Sequence, residues 1–256
     1  MDVYTAMAKV PVFSVDDVDR YYNNIGSSRS AVKRLMAYHK VMKIRNNMYT
    51  CVSAQTGGPI ANRFQIASSI TETSYISHYS AMEYYGTADQ VYYDVYVSSE
   101  TKFNDFEFDG YTYHYIPSPF SEGVESPEFS GGIRITNRER TVADCLKDMD
   151  KIGGYEEVIA DLSVMTSIDE NKLLLVLKAY DNQFLYQKTG YLLWPLRDSL
   201  GLSSDFFDLC RSKIGKSKRY LSKDIKEGTY NNEWKLVIPS QTYAMKNGGL
   251  ISDASI

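Results

Sequence analysis

Between Phe13 and Cys51 the spacing of apolar residues changes from helical to strand-like. That switch constrains the fold more than any other feature of the chain. Val15, Val18 and Tyr22 recur at i, i+3 and i+7, one face of a helix. Ser14 and Asp17 open it at capping-box spacing, with Asp in place of the usual Glu. The turn formers "NNIGS" break this helix, and Ser27 or Ser28 is placed to cap the next one. The next helix is expected over Arg29 to Lys40. At about 100° per residue, Ala31, Val32, Leu35, Met36, Tyr38 and His39 fill one half of its wheel, so His39 reads as a core residue. Val41 to Ile44 and Tyr49 to Val52 then alternate as strands around Asn46-Asn47, a pair that tolerates positive φ in a tight hairpin. A short helix over residues 2–9, with Val3, Met7 and Val10 facing inward, is expected ahead of all this.

The outer half of the second wheel is Arg29, Ser30, Lys33, Arg34, Ala37 and Lys40, without an acid. Residues 25–51 hold six Lys or Arg and no carboxylate, in a chain of formal net charge −4. A helix face that is merely solvated usually mixes Glu with Lys, because i,i+4 pairs stabilise it. Helix, helix, basic helix, hairpin is the order of a winged helix-turn-helix, whose second motif helix lies in the major groove. The expected contacts to double-stranded DNA are Ser28, Arg29, Ser30, Lys33, Arg34 and Lys40 from the helix. Lys43, Arg45, Asn46 and Asn47 of the wing would lie against phosphates. Contact between copies of the chain is the other reading of such a face.

The charge is partitioned along the whole chain. Residues 1–71 carry a net +5, residues 72–210 a net −14 and residues 211–256 a net +5. This suggests a basic module on an acidic body. The expected organisation is a winged helix-turn-helix domain over 1–55, a linker over 56–62 ("TGGPIAN"), an α+β domain over 63–240 and a loosely ordered tail over 241–256. In the body, "QVYYDVYVSS" and "FEFDGYTYHYIPS" alternate like antiparallel strands, with Asp109-Gly110 as a hairpin turn. Helices are expected from Thr141, with Asp144 at capping-box spacing, over Tyr155 to Met165, and from Ser167 with Glu170 as a second capping box. Pro195 should interrupt "GYLLWPLRDSL". Strands precede helices instead of alternating with them, so the fold class is α+β, with an antiparallel sheet and several helices.

Signatures of chemistry are few. Cys51, Cys145 and Cys210 are too few and too widely spaced for a disulfide framework or a zinc site, and read as buried free thiols. His39, His78 and His114 stand singly. No G-x-S-x-G or G-x-G-x-x-G is present. "GKS" at 215–217 fails as a P-loop because Cys210 stands where its first glycine belongs. No catalytic residue, metal site or cofactor is expected, and the chain reads as no enzyme. The opening "MDVYTAMAKVPVF" has no signal-peptide pattern and the apolar runs are too short to span a bilayer, so a cytoplasmic protein without a membrane partner is expected. A second basic run holds Lys213, Lys216, Lys218 and Arg219. Contact with phosphate or with a partner, and a solvated loop, both remain open for it.

Several segments, in order, carry a resemblance: the N-terminal helical module and hairpin, "SYISHYSAMEYYG", "ITNRERTVADCL" with "GYEEVIADL", "KTGYLLWPL", and "NNEWKLVIPS". Together they resemble the AbiEi family of bacterial antitoxin regulators. Trp194-Pro195 departs from the pattern, standing where an unbroken helix would be expected. The resemblance implies a repressor of its own toxin–antitoxin operon, acting at inverted repeats, with two copies on the DNA. It also implies antagonism of a nucleotidyltransferase-like toxin in abortive phage defence, with antitoxicity in the C-terminal domain and no catalytic residue. A stand-alone regulator with a ligand-sensing α+β domain is the alternative.

Overall fold

The computed structural model describes residues 2–88, 92–118, 120–223, 225 and 227–239, and the strands at 244–246 and 249–251. The fold is mixed α+β, and the chain forms two compact units. The first contains residues 1–76, 92–119 and 125–135; the second contains 77–91, 120–124 and 136–256.

The first unit opens with helices α1 (Val3–Met7), α2 (Val15–Tyr22) and α3 (Ile25–Ala37), then strands β1 (Val41–Arg45) and β2 (Met48–Cys51). Val3, Met7, Phe13, Val15, Val18, Val32, Val41 and Cys51 form one apolar cluster. It joins the helical faces to the inner side of the hairpin, as the change of period requires. Val10, expected inside, is exposed, because α1 ends three residues earlier. Residues 56–62 do not separate two bodies. Val52 bridges to Pro59, the Ile60 amide donates to the Cys51 carbonyl (2.9 Å), and the Ala61 amide donates to Thr50 Oγ1 (3.2 Å). The expected division at 56–62 is therefore replaced by one that leaves 1–55 and 63–76 in the same unit.

Helix α4 (Arg63–Ser68) follows, capped by Asn62, and then β3 (Tyr75–Ile76), β4 (Asp94–Ser99), β5 (Phe106–Phe108), β6 (Tyr111–Pro117), β7 (Val124–Glu125) and β8 (Ile135–Thr136). Their sheet has the order β5-β6-β4-β3-β8-β7. The chain changes unit within β7 and β8. β5 and β6 form the expected antiparallel hairpin, with Asp109 (φ 52°) and Gly110 (φ 80°) at its turn. β4 and β6, however, pair in parallel, from Asp94 with Thr112 to Ser99 with Pro117. The alternating sequence fixes strand character and not strand direction. Here β6 turns back from β5 and inserts beside β4, so the two run the same way.

The second unit is mainly helical: α5 (His78–Tyr84), α6 (Arg138–Asp148), α7 (Tyr155–Ser163), α8 (Glu170–Tyr180), α9 (Gln183–Leu193), α10 (Arg197–Leu200) and α11 (Ser204–Ser212). Two capping boxes read from the sequence are overturned. Asn137 caps α6, while Thr141 lies inside the helix and its hydroxyl donates to the Asn137 carbonyl (2.8 Å). Asp169 caps α8, and the Glu170 carboxylate instead accepts from the Ser203 amide (2.7 Å). Pro195 falls in a 3-10 turn between α9 and α10, the expected interruption. Within α9 the Trp234 ring occupies the space a Cβ of Gly190 would need, so glycine is required there. β9 (Arg219–Tyr220), β10 (Gly228–Asn231) and β11 (Leu236–Pro239) form a sheet in the order β10-β11-β9. Of the tail at 241–256, β12 (Ala244–Lys246) and β13 (Gly249–Ile251) pair antiparallel, and the other residues lie outside those described.

The three cysteines are free and buried. Burial pushes the Cys51 thiol up to about 11 and the Cys210 thiol up to about 12, which leaves both protonated and inert. Among the described residues no helix is long and apolar enough to cross a membrane.

Candidate nucleic-acid interface

Helix α3 is set by two side chains. Asn24 adopts an extended conformation and accepts from the Ser27 amide (2.9 Å), so the helix starts at Ile25 and not after Ser27 or Ser28. Asn23 takes the left-handed conformation (φ 47°) that turns α2 into α3 within two residues. Ser28, expected to face DNA, is fully buried: its hydroxyl donates to Asp19 Oδ1 (2.8 Å) and to the Asn24 carbonyl (2.9 Å). It ties α3 to α2. With Ser28, Ala31 and Val32 turned inward, Arg29, Ser30, Lys33, Arg34 and Ala37 are left on the exposed side of the helix. Ser30 donates to the Gly26 carbonyl (2.9 Å).

The helix ends at Ala37, earlier than its apolar pattern suggested. Tyr38 is therefore 69% exposed, and His39, expected in the core, is exposed in the left-handed region (φ 54°). Lys40 is exposed, with its ammonium 5.2 Å from the centre of the Tyr4 ring.

The β1–β2 hairpin sits against this helix. A cleft of about 460 Å³ lies between them, lined by Ile25, Arg29, Lys33 and Met36 of α3 and by Asn46 and Asn47 of the turn, among others. Asp16 also lines it, so one carboxylate faces the two cations there. Asn47 (φ 53°) does more than turn the chain: its Oδ1 accepts from the Val15 amide (3.0 Å), which holds the hairpin tip at the start of α2. Lys43 and Asn46 are exposed. Arg45 corrects the sequence reading: it is half-buried, with its guanidinium 5.6 Å and 5.1 Å from the ring centres of Phe103 and Phe106. Two aromatic faces attract the cation, so Arg45 braces the hairpin instead of presenting charge.

The arrangement thus brings Arg29, Ser30, Lys33, Arg34, Lys40, Lys43, Asn46 and Asn47 to exposed positions of one module and removes Ser28 and Arg45 from that set. Lys213, Lys216, Lys218 and Arg219 are exposed in the second unit, at the end of α11 and on the way into β9.

One polar cluster had no signal in the sequence, because the strand pairing that joins its members is not local. His114 of β6 is held by Asp94 Oδ1 at Nε2 (2.7 Å) and by Asp105 Oδ2 at Nδ1 (2.9 Å), and the Tyr115 amide donates to Asp105 Oδ1 (2.9 Å). Burial lowers the affinity of His114 for a proton, but the two carboxylates outweigh it and hold the imidazole above its ordinary value. Asp105 is held below its ordinary value: burial acts against this, and the Tyr115 amide and His114 outweigh it. Among the described residues no group of three or more His, Cys, Asp or Glu is placed to hold a metal ion.

No protein-family model and no curated protein matches the chain. Among solved structures, the crystal structure of the RV2827C protein from Mycobacterium tuberculosis matches with a TM-score of 0.61. The match covers 92% of this chain and 89% of that one at 15% sequence identity, a likeness of fold.

Proposed function

We propose that the chain is a DNA-binding antitoxin whose N-terminal module is a winged helix. In this reading α3 enters the major groove of duplex DNA, two copies occupy an inverted repeat, and the chain represses its own toxin–antitoxin operon. The observation that carries it is the exposed, acid-free side of α3 with Arg29, Lys33 and Arg34 beside a hairpin that carries Lys43. A helix about 10–12 Å across fits a groove about 12 Å wide. The solvent side of this one offers two long cations one position apart for base edges or phosphates. Arg29 lies in its first half and Lys40 just past its end, where the backbone would pass. Antagonism of a nucleotidyltransferase-like toxin follows from the resemblance to AbiEi-type regulators.

The test is a gel-shift titration on the promoter of the chain's own operon. Lys33→Ala with Arg34→Ala should weaken binding, each lost base contact costing about 1–3 kcal/mol. Wild-type affinity in a folded double variant would remove α3 from the interface.

A ligand-sensing regulator is the second reading. It is favoured by a cleft of about 590 Å³ lined by Ile60, Arg63, Phe64, Tyr111 and Tyr113, among others. The buried Tyr113 hydroxyl has no hydrogen-bond partner among the described residues, and a ligand acceptor would supply one. Relief of growth arrest when toxin and chain are expressed from separate promoters separates the two readings.

A further inference from the structure

The β10-β11-β9 sheet of the second unit carries two exposed aromatic rings in one row. Val237 at its centre pairs with Tyr230 on one side and with Tyr220 on the other. Directly paired residues share a face, so both rings stand on the same side of the sheet. Tyr220 is 51% exposed and Tyr230 43%, although Val237 between them is buried. The Lys218 ammonium lies 5.8 Å from the centre of the first ring and 5.5 Å from the second.

The charge leading into the first ring is one-sided, while Glu227 and Glu233 flank the strand of the second. Residues 211–223 contain six Lys or Arg and no carboxylate. Arg211 is spoken for: it pairs with Asp208 and Glu233 (both 2.6 Å) and lies over the Trp194 and Trp234 rings. Lys213, Lys216, Lys218 and Arg219 make no such pair with a carboxylate among the described residues, and all four are exposed. Lysines crowded without counter-charge call for an anion, and exposed rings beside them call for a flat, polarisable partner.

We propose that this face binds single-stranded nucleic acid, with neighbouring bases stacked on Tyr220 and Tyr230 and phosphates held by Lys216, Lys218 and Arg219. An unpaired strand meets both demands along its length. Its bases offer free π-faces, whereas a duplex covers them by its own stacking and would use the lysines alone. Lys218 moves from the ring faces to the strand as the bases take its place. The site does not depend on the duplex-DNA reading of α3 and is separate from it.

The test is fluorescence anisotropy on the full chain at about 0.1 M salt, with a labelled 12-mer of uridine, a 12-mer of thymidine and a 12-base-pair duplex. The wild type should bind the single strands. Tyr220→Ala with Tyr230→Ala should weaken that binding by at least tenfold, Tyr220→Phe with Tyr230→Phe should retain it, and duplex binding should be unchanged by either. Lys33→Ala with Arg34→Ala should leave the single-strand affinity as it is, so a failure of the α3 reading stays distinguishable. The proposal is overturned if the wild type binds neither 12-mer, or if the double Ala variant, with an unchanged melting curve, binds like wild type. It is overturned equally if that variant loses duplex and single strand alike. A preference for the uridine or for the thymidine strand reports on the 2′-hydroxyl and the C5 methyl together and supports the site either way.

Discussion

Three arginines show how context decides what one residue type does. Arg34 projects from α3 into solvent, and its charge is available to a partner. Arg45, only partly buried, spends its charge on two rings. Arg140 is buried in the second unit, where its Nε donates to Asp144 (2.6 Å) and its guanidinium lies 3.9 Å from the centre of the Phe120 ring. No periodicity separates them; the neighbours that tertiary folding supplies do. The same holds for His114, whose two aspartates arrive from different strands and loops. Its raised pKa has a definite consequence for stability. The imidazolium is favoured in the fold, so its contribution is fully present below the unfolded value of about 6.5 and is lost as pH rises through the higher folded value. Asp105 is the mirror case: its contribution is present above about 3.8 and is lost as pH falls through its lower folded value. The stability difference between wild type and His114→Asn should therefore be largest between about pH 4 and 6.5 and shrink on the alkaline side. Urea melts of both proteins across pH 4–9 check this, and a difference that grows with pH would contradict it.

At the scale of elements, the sequence told type better than limits. The apolar spacing of α2 and α3, the Asn46-Asn47 hairpin and the Asp109-Gly110 turn were legible, because period and turn chemistry are local. The start of α3 was not, since Asn23 and Asn24 are as able to cap as Ser27 and Ser28; the bond from the Ser27 amide to Asn24 Oδ1 decides between them. That shift also explains why the exposed side kept Arg29, Lys33 and Arg34 but lost Ser28; His39 falls past the helix because α3 stops at Ala37. The parallel pairing of β4 with β6 depends on where β5 turns back, and alternation is blind to it. The hairpin holds a further test. Asn47 both accepts the left-handed conformation and accepts from the Val15 amide. Asn47→Gly keeps the conformation and loses the bond, and should cost about 1 kcal/mol. Asn47→Ala loses both and should cost about 2–3 kcal/mol. Chemical denaturation of the two variants measures each part, and equal losses would mean that the backbone conformation carries no strain.

At the scale of the whole molecule, the charge partition pointed to a module that could be cut away at residues 56–62, but the first unit is not built to be cut there. Its N-terminal cluster, Val3 to Cys51, is self-contained. The segment after it is bound to β2 through Ile60 and Ala61. Arg45 covers Phe103 and Phe106, of which Phe103 is only 5% exposed. A fragment beginning at Asn62 would lose α3, but it would also uncover those rings and leave the sheet of the first unit without its brace. We expect it to bind a dye specific for exposed apolar surface and to melt with lower cooperativity than the full chain, which confounds any loss of activity. Substitution avoids this. Lys33 and Arg34 are exposed and belong to no part of the cluster, so replacing both with Ala should change stability by less than about 0.5 kcal/mol each. On the antitoxin proposal, with antitoxicity carried by the second unit, this double variant should no longer repress a reporter fused to its own promoter. It should still relieve growth arrest when the toxin is expressed from a separate promoter. If repression and relief are lost together in a variant whose melting curve matches wild type, the two activities share α3, and antitoxicity would have to act through nucleic acid bound there.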